Sequence, residues 1–169
     1  MIITKKDTDK ITGLVIESLI RFWRLQGHHL SGQFIRSLDS KVREILGGKA
    51  IDFFMEDYGL ILNKGVLAEK IPYNPGSGAA RSDYIEGLKR YALDRMRVSR
   101  REAERIAFAI AKTQKREGMP TRGSRRFSKI GSRTGFIELA IEEVEALIRM
   151  VITESVGEFF TIEFKSAIV

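Results

Sequence analysis

The sequence is poor in residues that many kinds of site and scaffold need. It contains no cysteine, which excludes disulfide scaffolds, thiolate metal sites and a cysteine nucleophile. It has only two histidines, so a site built from several imidazoles is excluded too. No apolar run approaches the roughly 20 residues of a membrane span, and the lysine- and aspartate-rich start lacks the apolar segment of a signal peptide. These absences favour an intracellular, soluble protein, or one that is assembled inside a cell.

The hydrophobic pattern of the first half predicts a helix followed by a hairpin. Of the 169 residues, 43% are hydrophobic and 30% are charged, as in a folded domain. Apolar residues over 11–25 recur at helical spacing, with Asp7 or Thr8 as the expected cap and Trp23 at the core edge. Two alternating runs, 34–45 and 51–55, flank a Gly-Gly pair and predict a β-hairpin.

The second half is predicted to be helical. Ser82 and Ser99 are placed to cap two helices, Gly118 to end the second, and a further helix starts near Thr134 with Leu147 among its inward residues. We therefore predict an α+β fold in which an N-terminal helix packs on a small antiparallel β-sheet, followed by several helices including a long C-terminal one. The expected organisation is a single domain, 1–169, with a helical insertion at roughly 82–117 and a flexible basic loop at roughly 118–134.

Charge is unevenly distributed along the chain. Lys and Arg number 29 against 22 Asp and Glu, a net charge of +7. The stretch 86–133 holds 15 basic and 5 acidic residues, whereas 134–169 holds 2 basic and 7 acidic residues. A basic segment beside an acidic one is typical of nucleic-acid binding, or of head-to-tail contact between copies. A solvated, mixed-charge surface is the plainer interpretation.

The sequence offers little for catalysis or metal binding. His28 and His29 are adjacent, so on a helix they point apart and chelate one metal poorly. Glu56-Asp57 lacks the further acidic partners that a metal-dependent nuclease needs, and the 76–78 Gly-Ser-Gly lacks the lysine of a phosphate-binding loop. We predict no catalytic residue, no metal and no cofactor, and thus a protein that is not an enzyme.

The strongest local feature is a cluster of basic residues in a glycine- and serine-rich context. The predicted inter-subunit or DNA-facing residues are Arg122, Arg125, Arg126, Lys129 and Arg133. They can neutralise phosphates without reading sequence, form an arm that orders in an assembly, or remain a solvated loop. The expected acidic partner face consists of Glu138, Glu142 and Glu145.

Three stretches resemble the tail-completion (neck, or head–tail joining) proteins of tailed bacteriophages. Residues 31–38 (SGQFIRSL) are similar to the Gly-x-Leu-x-x-Ser motif at the start of that family's first strand, with Phe34 in the Leu place. Residues 57–66 (DYGLILNKGV) resemble its Tyr-Ala-x-Tyr-Val-Glu-x-Gly-Thr signature, which follows a hairpin, with Gly59 in the Ala place. Residues 135–140 (GFIELA) resemble the Pro-Phe-Leu-x-Pro-Ala start of its last helix.

The resemblance implies a non-enzymatic virion protein. Members of that family form rings, often hexameric, between the portal–adaptor complex and the tail tube or tail terminator, and DNA passes through the lumen. The expected partners are therefore further copies of the chain, the neighbouring neck and tail proteins, and DNA, with no membrane. The expected location is the virion, and the host cytoplasm during assembly. The alternative is a small, non-sequence-specific nucleic-acid-binding protein that uses the basic 86–133 segment.

Overall fold

The computed structural model of the chain describes residues 3–28, 32–76, 82–153 and 159–166. The chain forms two compact units: the first comprises residues 1–64 and 127–169, and the second comprises 65–126. The predicted helical insertion lies within the second unit. The predicted basic loop is shared by both.

The first unit contains four of the helices and all three strands. In chain order they are α1 (Lys5–Leu25), α2 (Gln33–Ser37), β1 (Asp39–Ile45), β2 (Gly48–Met55), α3 (Asp57–Lys64), α6 (Phe136–Thr153) and β3 (Phe159–Ser166). The helix α1 packs mainly along α6. Buried residues of α1, β2 and α6 belong to one core, with Ile11, Ile51 and Val144 among them.

The sheet has the strand order β1-β2-β3 and is mixed. The predicted hairpin is present, with β1 and β2 antiparallel around a two-residue turn in which Gly47 has a φ of 82°. Its first strand is shorter than the predicted run 34–45, because Gln33–Ser37 form α2 and β1 begins at Asp39. The strand β3, however, pairs parallel to β2. The predicted all-antiparallel sheet is therefore wrong, because the helix α6 carries the chain back across the sheet before β3 begins.

Several local predictions for the first unit need correction. Thr4, not Asp7 or Thr8, caps α1: its side chain accepts from the Asp7 backbone N–H. The Asp7 side chain accepts from the Thr4 backbone N–H, which completes a capping box. Trp23 lies inside the core, not at its edge. The helix α6 has 18 residues, so it is not long, and β3 follows it. Leu147 on α6 is 46% exposed, although its spacing placed it inward.

The second unit is a helical hairpin with a small core of its own. It contains a short 3-10 helix (Ala68–Lys70), α4 (Asp83–Met96), α5 (Arg100–Glu117) and most of a second 3-10 helix (Arg122–Phe127). The predicted caps are confirmed, since Ser82 and Ser99 accept backbone hydrogen bonds at the starts of α4 and α5. Ala107 and Ala111 bring α5 close to Ile71 and Ile85, and this packing encloses the core.

Candidate functional site

The five predicted basic residues fall in both units. Arg122, Arg125 and Arg126 are exposed on the second 3-10 helix, within the second unit. The backbone N–H of Arg122 donates to Glu117 Oε2 at 3.1 Å. Arg116, together with this N–H, lowers the pKa of the Glu117 carboxyl. The predicted loop therefore contains a short helix with an anchored start, and it presents three arginines on adjacent turns.

The other two basic residues lie against the end of α1 in the first unit. Arg133 Nη2 lies 3.4 Å from the Gly27 carbonyl oxygen, and the Arg133 carbonyl lies 3.0 Å from His28 Nε2. The Lys129 backbone donates to the Leu25 carbonyl at 2.8 Å. His28 is buried here, which favours a structural role, whereas His29 lies outside the described residues. Arg133 is thus partly committed to fixing the chain that follows α1.

The Lys129 side chain lines a shallow depression. Two further cations that sequence reasoning did not single out, Arg21 and Arg24, line it together with Glu17. Arg21 also forms an ion pair with Glu143 on α6. Helical spacing on α1 could have identified Arg21 and Arg24 as neighbours, but nothing local linked them to Lys129.

The predicted acidic face of α6 is exposed but unevenly available. Glu138 accepts both of its hydrogen bonds from Asn63 Nδ2, at 2.9 and 3.0 Å. Glu145 pairs with Arg149 one turn along α6, at 2.6 Å. Among the described residues, Glu142 has no ion pair. Of the three carboxylates, Glu142 is the one most available to a partner.

The net positive charge of the chain resides in the second unit. That unit holds 15 basic and 7 acidic residues, a net charge of +8, whereas the first holds 14 basic and 15 acidic residues. Most of the basic side chains in the second unit are exposed. Six exposed arginines lie between residues 90 and 105, on α4, on α5 and in the connection between them, namely Arg90, Arg95, Arg97, Arg100, Arg101 and Arg105.

Two of these arginines occupy an unfavourable position for a helix. Arg100 and Arg101 are the first two residues of α5, where the partial positive charge of the helix dipole disfavours cations. Such a placement costs stability unless an anion compensates it. The Ser-Arg-Arg-Glu sequence that predicts the cap at Ser99 also predicts two arginines in the first turn of the helix.

A charged network covers the face of the sheet opposite the core. Asp52 at its centre accepts from Arg43 Nε at 2.9 Å and from Lys165 Nζ at 3.0 Å, and Glu163 pairs with both cations. The hydrogen bond from Arg43, assisted by Lys165, lowers the pKa of Asp52. Asp52 is only 4% exposed, and its Oδ1 has no hydrogen-bond partner among the described residues. Asp52 is therefore not a solvated strand residue, because β3 brings Lys165 over it.

The three stretches that carry the family resemblance meet in one part of the first unit. The Phe34 ring packs on Gly59, where a Cβ atom would lie 2.6 Å from Phe34 Cε2. Phe34 also meets Phe136 edge to face, with centroids 5.6 Å apart. Asn63 Oδ1 accepts the Ile137 backbone N–H at 2.9 Å and so caps the start of α6. Ser31 lies outside the described residues.

The described residues hold no group of three or more acidic or histidine side chains placed to bind a metal ion. None of the helices over these residues is long and apolar enough to span a bilayer. Comparison of the chain with protein-family models, with curated proteins and with solved structures finds no match.

Proposed function

We propose that this chain is a structural protein of a bacteriophage neck, forming a ring that joins the head to the tail and lets DNA pass. The observation that carries the proposal is the contact between Phe34 and Gly59. At position 34 the chain has Phe where the family has the smaller Leu, and at position 59 it has Gly where the family has the larger Ala. The two positions lie in separate motifs, and the larger side chain fills the space that the smaller one leaves.

Further contacts between the motifs support the proposal. Asn63 links the second motif to the third through the start of α6, and Phe136 of the third motif meets the Phe34 ring. The proposal includes α1 covering the sheet, because buried residues of α1 and β2 share one core. Motifs that touch one another are more informative than three short matches scattered over a chain.

In the proposed role the protein acts by binding its neighbours through its surfaces and catalyses no reaction. The basic second unit and the Glu142 region of α6 would meet neighbouring copies, the portal–adaptor layer, the tail proteins or the DNA in the lumen. Contacts between unlike surfaces are heterologous, and repeated heterologous contacts close into a ring when the rotation allows. The protein would reside in the virion after assembly in the host cytoplasm.

Light scattering of the purified protein at low and high salt, with and without duplex DNA, tests the proposal. The expected result is a ring-sized oligomer that salt weakens and DNA does not require, seen as rings in negative-stain images. Joint replacement of Arg122, Arg125 and Arg126 by alanine should weaken assembly and leave the monomer folded. A monomer that associates only when DNA is added would contradict the neck role.

The second candidate function is sequence-independent nucleic-acid binding. The observation that favours it is the +8 net charge of the second unit, in only 62 residues. Exposed arginines without recognition elements bind phosphates irrespective of base sequence. In this case the protein would bind duplex DNA as a monomer, with an affinity that falls steeply with salt.

A further inference from the structure

The three-stranded sheet has two outer edges, and each carries both acidic and basic side chains. Within the described residues neither the outer side of β1 nor that of β3 pairs with another strand. Lys41 on β1 is exposed and has no ion pair among the described side chains. Glu163 on β3 pairs with Arg43 and Lys165 of its own copy. An unpaired strand is a template for a further strand, which natural proteins either blunt with charge or use for docking.

The pairing registers place matching residues in the same rows across the sheet. Lys41, Asp52 and Glu163 form one row, and Asp39, Phe54 and Lys165 form the row beside it. On the core side, Val42, Ile51 and Ile162 share a row. Val42 is 39% exposed, so the apolar row is incompletely covered at the β1 edge.

We infer that the sheet continues into a second copy of this chain, with β3 of one copy pairing antiparallel to β1 of the next. If the rows run straight across, Glu163 meets Lys41 of the neighbour and Lys165 meets Asp39. Ile162 meets Val42 in the same register and completes the apolar row. Opposite charges and apolar pairs directly across strands both stabilise a sheet.

Electrostatics select this register over its neighbours. A shift by two residues in one direction places Lys165 opposite Lys41 and Glu163 opposite Arg43, so one repulsive pair offsets one attractive pair. A shift in the other direction places Glu163 opposite Asp39. A shift by one residue moves Ile162 off the apolar side. The contact uses a different edge on each copy, so it is heterologous and repeats from copy to copy. The inference rests on the proposed ring and names the surface that would build it.

Disulfide cross-linking tests the inference, since the chain has no native cysteine. Full-length Lys41→Cys and Glu163→Cys proteins are mixed, oxidised gently and run on a non-reducing gel. Each protein then carries a single cysteine, so a disulfide can form only between copies. In the proposed register the two cysteines of a mixed pair lie directly opposite each other, within the roughly 7 Å Cα limit of a disulfide.

Matched variants define the other outcomes. Lys41→Cys mixed with Lys165→Cys is out of register and should not link. Links in Lys41→Cys alone, in Glu163→Cys alone or in Glu163→Cys mixed with Lys165→Cys would indicate two-fold edge contacts and overturn the inference. Circular dichroism of each variant checks that it is folded.

The substitution Lys41→Glu provides a second test without oxidation. It should weaken self-association about fivefold per contact, and more than Lys41→Gln does, because it faces Glu163 of the neighbour. If Lys41 only blunts the edge, Lys41→Gln would strengthen association, which would overturn the inference.

The results separate the inference from the proposed function. Assembly of the native protein without the expected link would overturn the sheet contact and leave the ring to other surfaces. The expected link in particles that grow without closing would support the sheet contact and contradict the ring. A native protein that stays monomeric under all conditions would overturn both.

Discussion

The Phe34 ring occupies the space that a side chain at position 59 would need. The Phe34 ring stacks on Trp23 with centroids 3.7 Å apart, so it has little freedom to move away from α3. A methyl group on Gly59 would meet that ring and also approach the Met55 sulfur at 3.3 Å. Either residue therefore limits the size of the other.

A double-mutant cycle tests this complementarity. Gly59→Ala should destabilise the fold by about 1–3 kcal/mol through overpacking, and Phe34→Leu by about 1–3 kcal/mol through lost packing. The combined variant should be more stable than the sum of the two changes predicts, by about 1 kcal/mol. Urea unfolding of the four proteins measures the coupling.

Gly13 offers a matched control, because a Cβ atom there would have no neighbour within 4 Å. Gly13→Ala should leave stability unchanged or raise it slightly, since it lies inside α1. Strict additivity of Phe34→Leu and Gly59→Ala would contradict the compensation, and with it the observation that carries the neck proposal.

At the scale of elements, the charged face of the sheet joins three strands through Asp52. Arg43 reaches it from β1 and Lys165 from β3, so the carboxylate holds both neighbours. A buried carboxylate whose Oδ1 has no partner within the described part of the chain depends on these two cations. Loss of its charge would loosen both strand contacts together.

This network predicts a pH dependence of stability. Hydrogen bonds from Arg43 and Lys165 lower the pKa of Asp52 below its ordinary value of 3.8. The stabilisation is therefore complete above that value and is lost as the pH falls through the lower, folded-state pKa. Asp52→Asn should lower the urea midpoint at pH 7, and its difference from the native protein should shrink in acid.

Glu142→Gln serves as the control for this measurement, because Glu142 is exposed and has no ion pair among the described residues. Its unfolding curve should follow that of the native protein from pH 7 downward. An Asp52→Asn difference that stays constant on acidification would contradict the role of the Asp52 charge.

Elements fixed by local signals could be predicted from the sequence, and those fixed by distant contacts could not. Ser82, Ser99 and Gly118 act within one turn of themselves, so their helix boundaries were correct. The parallel pairing of β3 depends on where α6 ends relative to the sheet. The burial of Asp52 depends in turn on β3. The cap on α6 likewise comes from Asn63, which no pattern near residue 136 could indicate.

The basic candidate site was predictable only in part, for the same reason. Clustering along the chain identified Arg122, Arg125 and Arg126, which share one short helix. Arg133 belongs to the same run of sequence, yet its guanidinium reaches the carbonyl of Gly27, which lies 106 positions away along the chain. Composition counts cannot separate a cation that holds the fold from one that is available to a partner.

At the scale of the whole molecule, one unit carries the net positive charge and the other is nearly neutral. A polyanion is therefore attracted chiefly to the second unit, whichever of the two proposed functions holds. Two groups of arginines are candidates for that contact: those of the second 3-10 helix and those at the α4–α5 connection.

Salt titrations of duplex DNA binding distinguish the two groups. One variant replaces Arg122, Arg125 and Arg126 by alanine, and the other replaces Arg97, Arg100 and Arg101. The group that contacts phosphates should, when removed, reduce the slope of log affinity against log salt by about 2–3, because each phosphate contact contributes about 0.9. Equal slopes for both variants and the native protein would exclude both groups as phosphate contacts.

The parallel pairing of β3 with β2 also bears on how the chain reaches its fold. Gly48 pairs with Phe159, so the contact closes a loop of more than a hundred residues. An isolated hairpin is marginally stable, whereas the α4–α5 pair is built from contacts near in sequence. During synthesis the second unit can therefore form before β3 is available to pair with β2. The free side of β2 is the surface that a chaperone, or a wrongly paired strand from another chain, would meet first.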